Sequence, residues 1–206
     1  MSSDDQTKRG IRVLWFHPAG TVGGASISLT ELLKPLVTNV KISGTIVTPA
    51  GSAANRFAEL GLEVLTAPGL SQCDNTRFGR YTGLRWLILL RELFFLPSSL
   101  RMLLALRKRR AEFDLIHLNE ITLLPLGVLA KRLLRLPLVV HIRSLQPSTK
   151  DIRTRMIDRL LMHNADAVIA IDESVRRTLP VELSVQVIHN VLQVDKIGRA
   201  SCRERV

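Results

Sequence analysis

Along the chain, short runs of β-branched and apolar residues alternate with longer stretches in which apolar positions recur every three or four residues. The first pattern suits strands buried on both faces and the second suits helices packed by one side, so the alternation predicts βαβ units closing a parallel sheet. Strands are expected at 12–16, 41–48, 63–66, 114–118, 138–142, 167–171 and 185–189, and helices at 24–36, 52–60, 84–109, 123–134, 150–164 and 173–178. Asp172 stands where an N-cap would satisfy the free amides of the last helix. Right-handed crossovers then give one α/β domain, a doubly wound parallel sheet with helices on both faces. Pro97 is expected to break 84–109 into two helices. The stretch 68–83, rich in Gly, Ser, Asn, Thr and Arg, reads as a loop.

Composition narrows the class. A chain of 206 residues, 46% hydrophobic and 23% charged, can bury one α/β core and is short for two. Residues 1–10 are polar and expected to be disordered, with no signal peptide. The tail 196–206, KIGRASCRERV, has no helical or strand periodicity and reads either as non-native sequence or as a solvated basic tail. Cys73 and Cys202 supply neither a disulfide framework nor metal-ligand spacing, which points to a reducing compartment. Histidines at 17, 117, 141, 163 and 189 lack zinc spacing, so no metal is expected.

Charge adds a partner class. Lys and Arg number 29 against 18 acids, a net +11, and the segment bounded by Arg77 and Arg110 holds nine of the bases and one acid, Glu92. Interleaved there are Trp86, Leu87, Ile88, Leu89, Phe94 and Phe95, a composition that suits a helix lying in an anionic membrane interface. The charges Arg85, Arg91, Glu92 and Arg101 argue against a spanning helix, which needs about 20 predominantly apolar residues. The other reading is a core helix with solvated arginines. Nucleic acid is disfavoured, since aromatics are 4% of the chain and no helix-turn-helix or RNA-recognition pattern is present. A second basic set, Lys131, Arg132, Arg135, Arg143, Lys150, Arg153, Arg155 and Arg159, surrounds the later helices.

The first strand runs straight into HPAGTVGGAS, residues 17–26, and then an apolar-periodic helix. Glycines at such a turn let a phosphate approach the first free N–H groups of the helix, so Gly23 and Gly24 form a candidate anion site. The spacing is neither G-x-G-x-x-G nor a Walker A loop. A tight turn without a ligand fits the same residues.

Five segments in order, VLWFHPAGTVGGASISLTELLKPL, FDLIHLNE, LPLVVHIRS, NADAVIAIDESVRRTL and VIHNVLQVD, resemble the amino-terminal domain of family 4 glycosyltransferases of the two-lobed GT-B fold, covering 11–195. The resemblance implies a Rossmann-like single lobe, retaining sugar transfer without a metal or cofactor, and a nucleotide-sugar donor such as a UDP- or GDP-sugar. The donor would be held mostly by a carboxy-terminal lobe absent from this sequence, so the fragment by itself is expected to be inactive. By the same resemblance Gly23, Gly24, Ala25 and Ser26 would lie against the donor diphosphate. His117, Asn119, Glu120 and Arg143 would reach the sugar or the acceptor, a glycan or lipid-linked glycan of cell-envelope polysaccharide synthesis. Asn119 stands where the family often has a second histidine, and Arg143 where many relatives have one. Arginine there would offer a permanent fork to a phosphate or carboxylate. His117 could equally be a satisfied core histidine. Asn190 matches the hinge asparagine, followed by Val191 where the family has glycine. Glu112 and Glu120 reproduce the family's E-x7-E spacing only as a decoy, because a strand lies between them. A cytoplasmic enzyme, peripheral at the inner face of the membrane through residues 77–110, is the resulting expectation. The alternative is a non-catalytic Rossmann-type module binding a phosphorylated ligand.

Overall fold

The computed structural model describes residues 10–39, 42–79, 87–149 and 151–189. In chain order these form β1 (Arg12–Phe16), α1 (Gly24–Asn39), β2 (Ser43–Pro49), α2 (Ser52–Ala58), β3 (Glu63–Ala67), α3 (Leu87–Lys108), β4 (Leu115–Leu118), α4 (Leu124–Leu134), β5 (Leu138–Ile142), α5 (Ile152–Asn164), β6 (Ala167–Ala170), α6 (Glu173–Arg176) and β7 (Val185–Val187). The strands make one seven-stranded sheet in the order β3-β2-β1-β4-β5-β6-β7, every pair parallel. This is the doubly wound arrangement that the alternation predicts. The expected termini 1–9 and 196–206, with Cys202, lie outside the described residues, as do Asn190, Trp86 and Lys150.

The period of two along β1 sorts its side chains between two cores. Val13 and Trp15 meet Leu29 and Leu33 of α1 and Phe57 of α2 on one face. Leu14 and Phe16 belong to the larger core on the other, together with Leu103 and Leu106 of α3, Leu124 of α4 and Leu161 of α5. Side-chain caps start α5 and α6: Asp151 accepts from Thr154 N at 2.9 Å, and Asp172 from Val175 N at 2.8 Å.

Pro97 does not divide the long basic helix. It lies inside a single α3 that runs from Leu87 to Lys108. A proline inside a helix costs about 3 kcal/mol, yet both flanks of Pro97 are tied to one loop. Glu92 accepts from Gln72 N at 2.8 Å, Ser99 Oγ accepts from Ser71 N at 2.9 Å, and Ser98 Oγ reaches Gly69 O at 3.2 Å. Three such bonds at about 1 kcal/mol each, with burial of Leu103 and Leu106 at about 2 kcal/mol each, outweigh the local penalty.

Candidate functional site

The chain leaves β1 toward β2 on one side and reaches β4 on the other, so β1 and β4 flank the point where the strand order reverses. Connections diverge there and leave a crevice beyond the carboxyl ends of the strands. Three ends deliver the candidate residues. His17 and the glycine turn follow β1, Asn119 and Glu120 follow β4, and Arg143 and Ser144 follow β5.

The glycine turn is held from beneath. Gly51, at φ +150°, packs so closely on Gly20 that a Cβ at either would strike the other turn's backbone. Ala53 N donates to Gly20 O at 2.9 Å, and Val22 N donates to Ser52 Oγ at 3.1 Å. Ser26 folds back over its own turn, accepting from Gly23 N at 2.8 Å and donating to Gly23 O at 2.9 Å. The first helical bond is Ile27 N to Gly23 O. Gly24, Ala25 and Ser26 precede it, so their N–H groups have no acceptor within the helix. A Cβ at Gly23 or Gly24 would meet nothing within 4 Å, so the space above the turn is open. The structure thus separates the four expected anion-binding residues. Gly23 N is spent on Ser26, Ser26 is buried, and Gly24 and Ala25 present the accessible start of the helix.

Beside this turn lies a buried polar network. Arg143 Nε donates to Asn119 Oδ1 at 2.8 Å and Arg143 Nη1 to Ser28 Oγ at 2.8 Å, while Nη2 stands 3.4 Å from His141 Nδ1. Asn119 Nδ2 donates to Ala25 O at 3.2 Å and lies 2.8 Å from His17 Nδ1. Glu120 accepts from Ser144 Oγ at 2.7 Å and from Ile121 N at 2.8 Å. Burial, and then the Arg143 charge, hold the His17 imidazole down at about 4. The same causes hold His117 at about 4 and His141, which also feels His117, at about 2. Burial lowers Arg143 to about 10, against the pull of Glu120, so the guanidinium is charged and the three imidazoles neutral at neutral pH. Burial pushes the Glu120 carboxyl up, opposed by its hydrogen bonds.

His117, Asn119, Glu120 and Arg143 thus lie at one end of the sheet, with Arg143 bonded to Asn119 and Glu120 held by Ser144 and Ile121. The Arg143 fork is engaged inside the protein. His117 packs edge-on against His141 with ring centroids 5.7 Å apart, and its Nδ1, like His17 Nε2 and His141 Nε2, has no hydrogen-bond partner among the described residues. Glu112 lies before β4 and pairs with Arg109 at 2.6 Å, at the opposite end of the strand from Glu120, as the decoy reading requires. Sequence reasoning passed over His17 and Ser28. The available signal for His17 was its position as the first residue after β1. Ser28, one turn into α1, carries no signal of its own. The first part of the expected loop 68–83 crosses this end of the sheet: Cys73 N donates to Thr122 O at 2.8 Å and Arg77 N to Leu145 O at 2.8 Å, and Gln72 Nε2 donates to Pro18 O at 2.9 Å.

α3 presents a second candidate surface. Glu92, Ser99, Leu103 and Leu106 form its buried side, while Leu87 is 63%, Leu90 63% and Phe94 77% exposed. Arg109 bridges Glu63 at 2.7 Å and Glu112 at 2.6 Å, Arg110 donates to Leu134 O, and Arg91 pairs with Glu92 at 2.6 Å. Arg101, Arg107 and Lys108 have no carboxylate partner among the described residues. No helix among the described residues is long and apolar enough to cross a membrane.

Residues 23–189 match the family described as glycosyl transferase 4-like domain. No curated protein matches the chain by sequence. Among solved structures, HepE of Anabaena, crystallised with UDP and glucose, superposes with a TM-score of 0.62 at 20% identity over 90% of this chain and 46% of its own. UGT2 of Phytolacca americana, complexed with UDP-2fluoro-glucose and pterostilbene, gives 0.56 at 12% identity over 90% of this chain and 54% of its own. MurG of Acinetobacter baumannii gives 0.52 at 16% identity over 87% and 45%. The chain thus spans about half the length of the structures it matches, and the shared fold is the Rossmann-like lobe of GT-B proteins.

Proposed function

The chain belongs to the glycosyl transferase 4-like domain family, and from that premise we propose that it is the amino-terminal, acceptor-side lobe of a retaining, hexosyl-type glycosyltransferase. In this reading a UDP- or GDP-sugar is held mainly by a second lobe, and its diphosphate meets Gly24 and Ala25 across the cleft. The acceptor is a glycan or lipid-linked glycan of cell-envelope polysaccharide synthesis, made at the cytoplasmic face of the membrane. One observation carries the proposal: Gly24 and Ala25 precede the first helical bond, Ile27 N to Gly23 O, at a turn with open space above it, close to Ser28, which accepts from the Arg143 guanidinium. As the donor bond breaks, negative charge grows on the leaving diphosphate, and fixed backbone dipoles with a nearby cation stabilise it without reorganising. His117, Asn119, Glu120 and Arg143 form the floor on which the sugar and acceptor rest, and the hinge begins at Asn190. No metal or cofactor has a part in this scheme.

The exposed apolar side of α3, with Arg101, Arg107 and Lys108 along it, supports docking on an anionic leaflet. That would bring a lipid-linked acceptor to the same molecule that holds the donor. The test is direct. The complete gene product is supplied with labelled UDP- and GDP-sugars and membrane-derived lipid-linked glycans, and label is expected in the glycan with its anomeric configuration retained. Binding of phosphorylated small molecules with no transfer from any nucleotide sugar would replace this reading with the non-catalytic module.

A further inference from the structure

Arg143 is partly buried, and its fork joins three strand ends to one helix. Its Nε–H can only donate, so the Asn119 atom 2.8 Å away is the amide oxygen. The carbonyl of Ala25 can only accept, so the Asn119 atom 3.2 Å from it is the amide nitrogen. Both constraints select one orientation of the amide. With Nδ2 facing His17 Nδ1 at 2.8 Å, that ring nitrogen must be the acceptor, and the His17 proton sits on Nε2. A second arm of the same guanidinium donates to Ser28 Oγ, three residues beyond Ala25. Arg143 thus grips the start of α1 twice, at Ser28 directly and at Ala25 through Asn119. Asn119 is itself anchored, since its N–H donates to Phe16 O at 2.9 Å.

We propose that Arg143 is a positioning residue whose fork, through Asn119 and Ser28, clamps the first turn of α1 to the ends of β1, β4 and β5 and so sets the height of the Gly24 and Ala25 amides over the crevice. The clamp is a property of this lobe. Its bearing on sugar transfer rests on the function proposed above. The fork matters more than the charge, because a lysine ammonium on a flexible stem cannot hold Asn119 and Ser28 in one plane. Asn119 also becomes a relay, since turning its amide would set two donors against each other at Arg143 and two acceptors at Ala25.

Hydrogen exchange and imidazole nitrogen shifts measured by NMR on the 206-residue chain test this without any substrate. In the wild-type chain His17 should show the Nε2–H tautomer. Arg143→Lys should raise amide exchange at Ile27 and Ser28 by about tenfold while the central amides of β1 and β4 keep their wild-type rates. A lost structural contact with no clamping role would raise exchange throughout the sheet or nowhere. If Arg143→Lys fails to fold, Ser28→Ala should still raise exchange at the same two amides by a few-fold. Asn119→Asp should move the His17 proton to Nδ1, because a carboxylate there can only accept. Unchanged exchange at Ile27 and Ser28 in the folded variants, or a wild-type His17 protonated on Nδ1, would overturn the clamp. In the complete enzyme Arg143→Lys should raise KM for the nucleotide sugar about tenfold, and Ser28→Ala, which removes one arm of the clamp, by a few-fold. Absence of transfer by the wild-type enzyme would sink the functional reading while the exchange result still decides the clamp.

Discussion

The switch-point network and helix α3 invert the usual distribution of residues in opposite senses. At the switch point, His17, Asn119, Glu120 and His141 are packed where apolar side chains would ordinarily sit, with a half-buried arginine beside them. On α3, leucines and a phenylalanine stand in solvent while a glutamate and a serine are buried beneath them. Buried polar groups are tolerated best when paired, and the network pairs Arg143, Asn119 and Glu120 but leaves His17 Nε2, His117 Nδ1 and His141 Nε2 without partners among the described residues. An exposed apolar face needs no partner to fold, but it marks a surface that meets something else. The first region is thus an internal frame whose energy is spent on geometry. The second is an apolar face that the described residues leave uncovered.

The largest effect expected of any change at the frame is on chemistry. Gly24→Glu places a carboxylate where the donor diphosphate is proposed to lie. Because a side chain there meets only open space, melting temperature should stay within a few degrees of wild type while transfer by the complete enzyme falls at least ~100-fold. Turnover at the wild-type rate would remove the diphosphate assignment. Next comes Asn119→Leu, which takes the acceptor from Arg143 Nε and a donor from Ala25 O and His17 Nδ1. Urea denaturation should show a loss of about 2–3 kcal/mol, and a loss under ~0.5 kcal/mol would mean that the network is slack.

Acid should act on the frame before it acts on α3. His17, His117 and His141 are held below the ordinary imidazole value of 6.5, at about 4, 4 and 2. The unfolded chain therefore binds more protons than the folded one as pH drops below about 6.5, so the stability these groups confer above that pH is lost on the way to about 4. Each contributes a slope of about 1.4 kcal/mol per pH unit at most, and Glu120, with its raised value, opposes them in part. Denaturation between pH 7 and 5 should show stability falling with acid, less steeply in His141→Gln. A flat profile would mean that these histidines are solvated. The smallest effect on the fold, and the sharpest contrast, is expected of Leu90→Ser with Phe94→Ser. Stability should change by less than ~0.5 kcal/mol, while co-sedimentation with anionic liposomes, reversed by salt in the wild type, drops about tenfold. Equal binding to neutral liposomes would count against a charge-assisted interface.

How far these regions were legible depended on how local their causes are. β1 and β5 begin and end where their apolar runs do, because a strand buried on both faces writes its own boundaries. The Asp172 cap was visible for the same reason, its acceptor lying three residues from its donor. Pro97 misled because the rule for proline is local, whereas α3 is held by Gln72, Ser71 and Gly69 from another segment. The side of α3 that would be buried was hidden as well, since hydropathy favours Leu90 over Glu92 and packing reversed them. Arg143 read as a fork for a ligand because its partners Asn119 and Ser28 stand 24 and 115 residues away.

Periodicity, turn residues and motif order were enough to establish a doubly wound α/β lobe with a glycine turn after its first strand, since each depends on neighbours within a few residues. The use of a polar side chain was a matter for the folded molecule. Whether Gly24 faces a crevice, whether Arg143 serves a ligand or a helix, and which flank of α3 meets solvent are set by residues that become neighbours only when parallel strands bring distant parts of the chain to one edge.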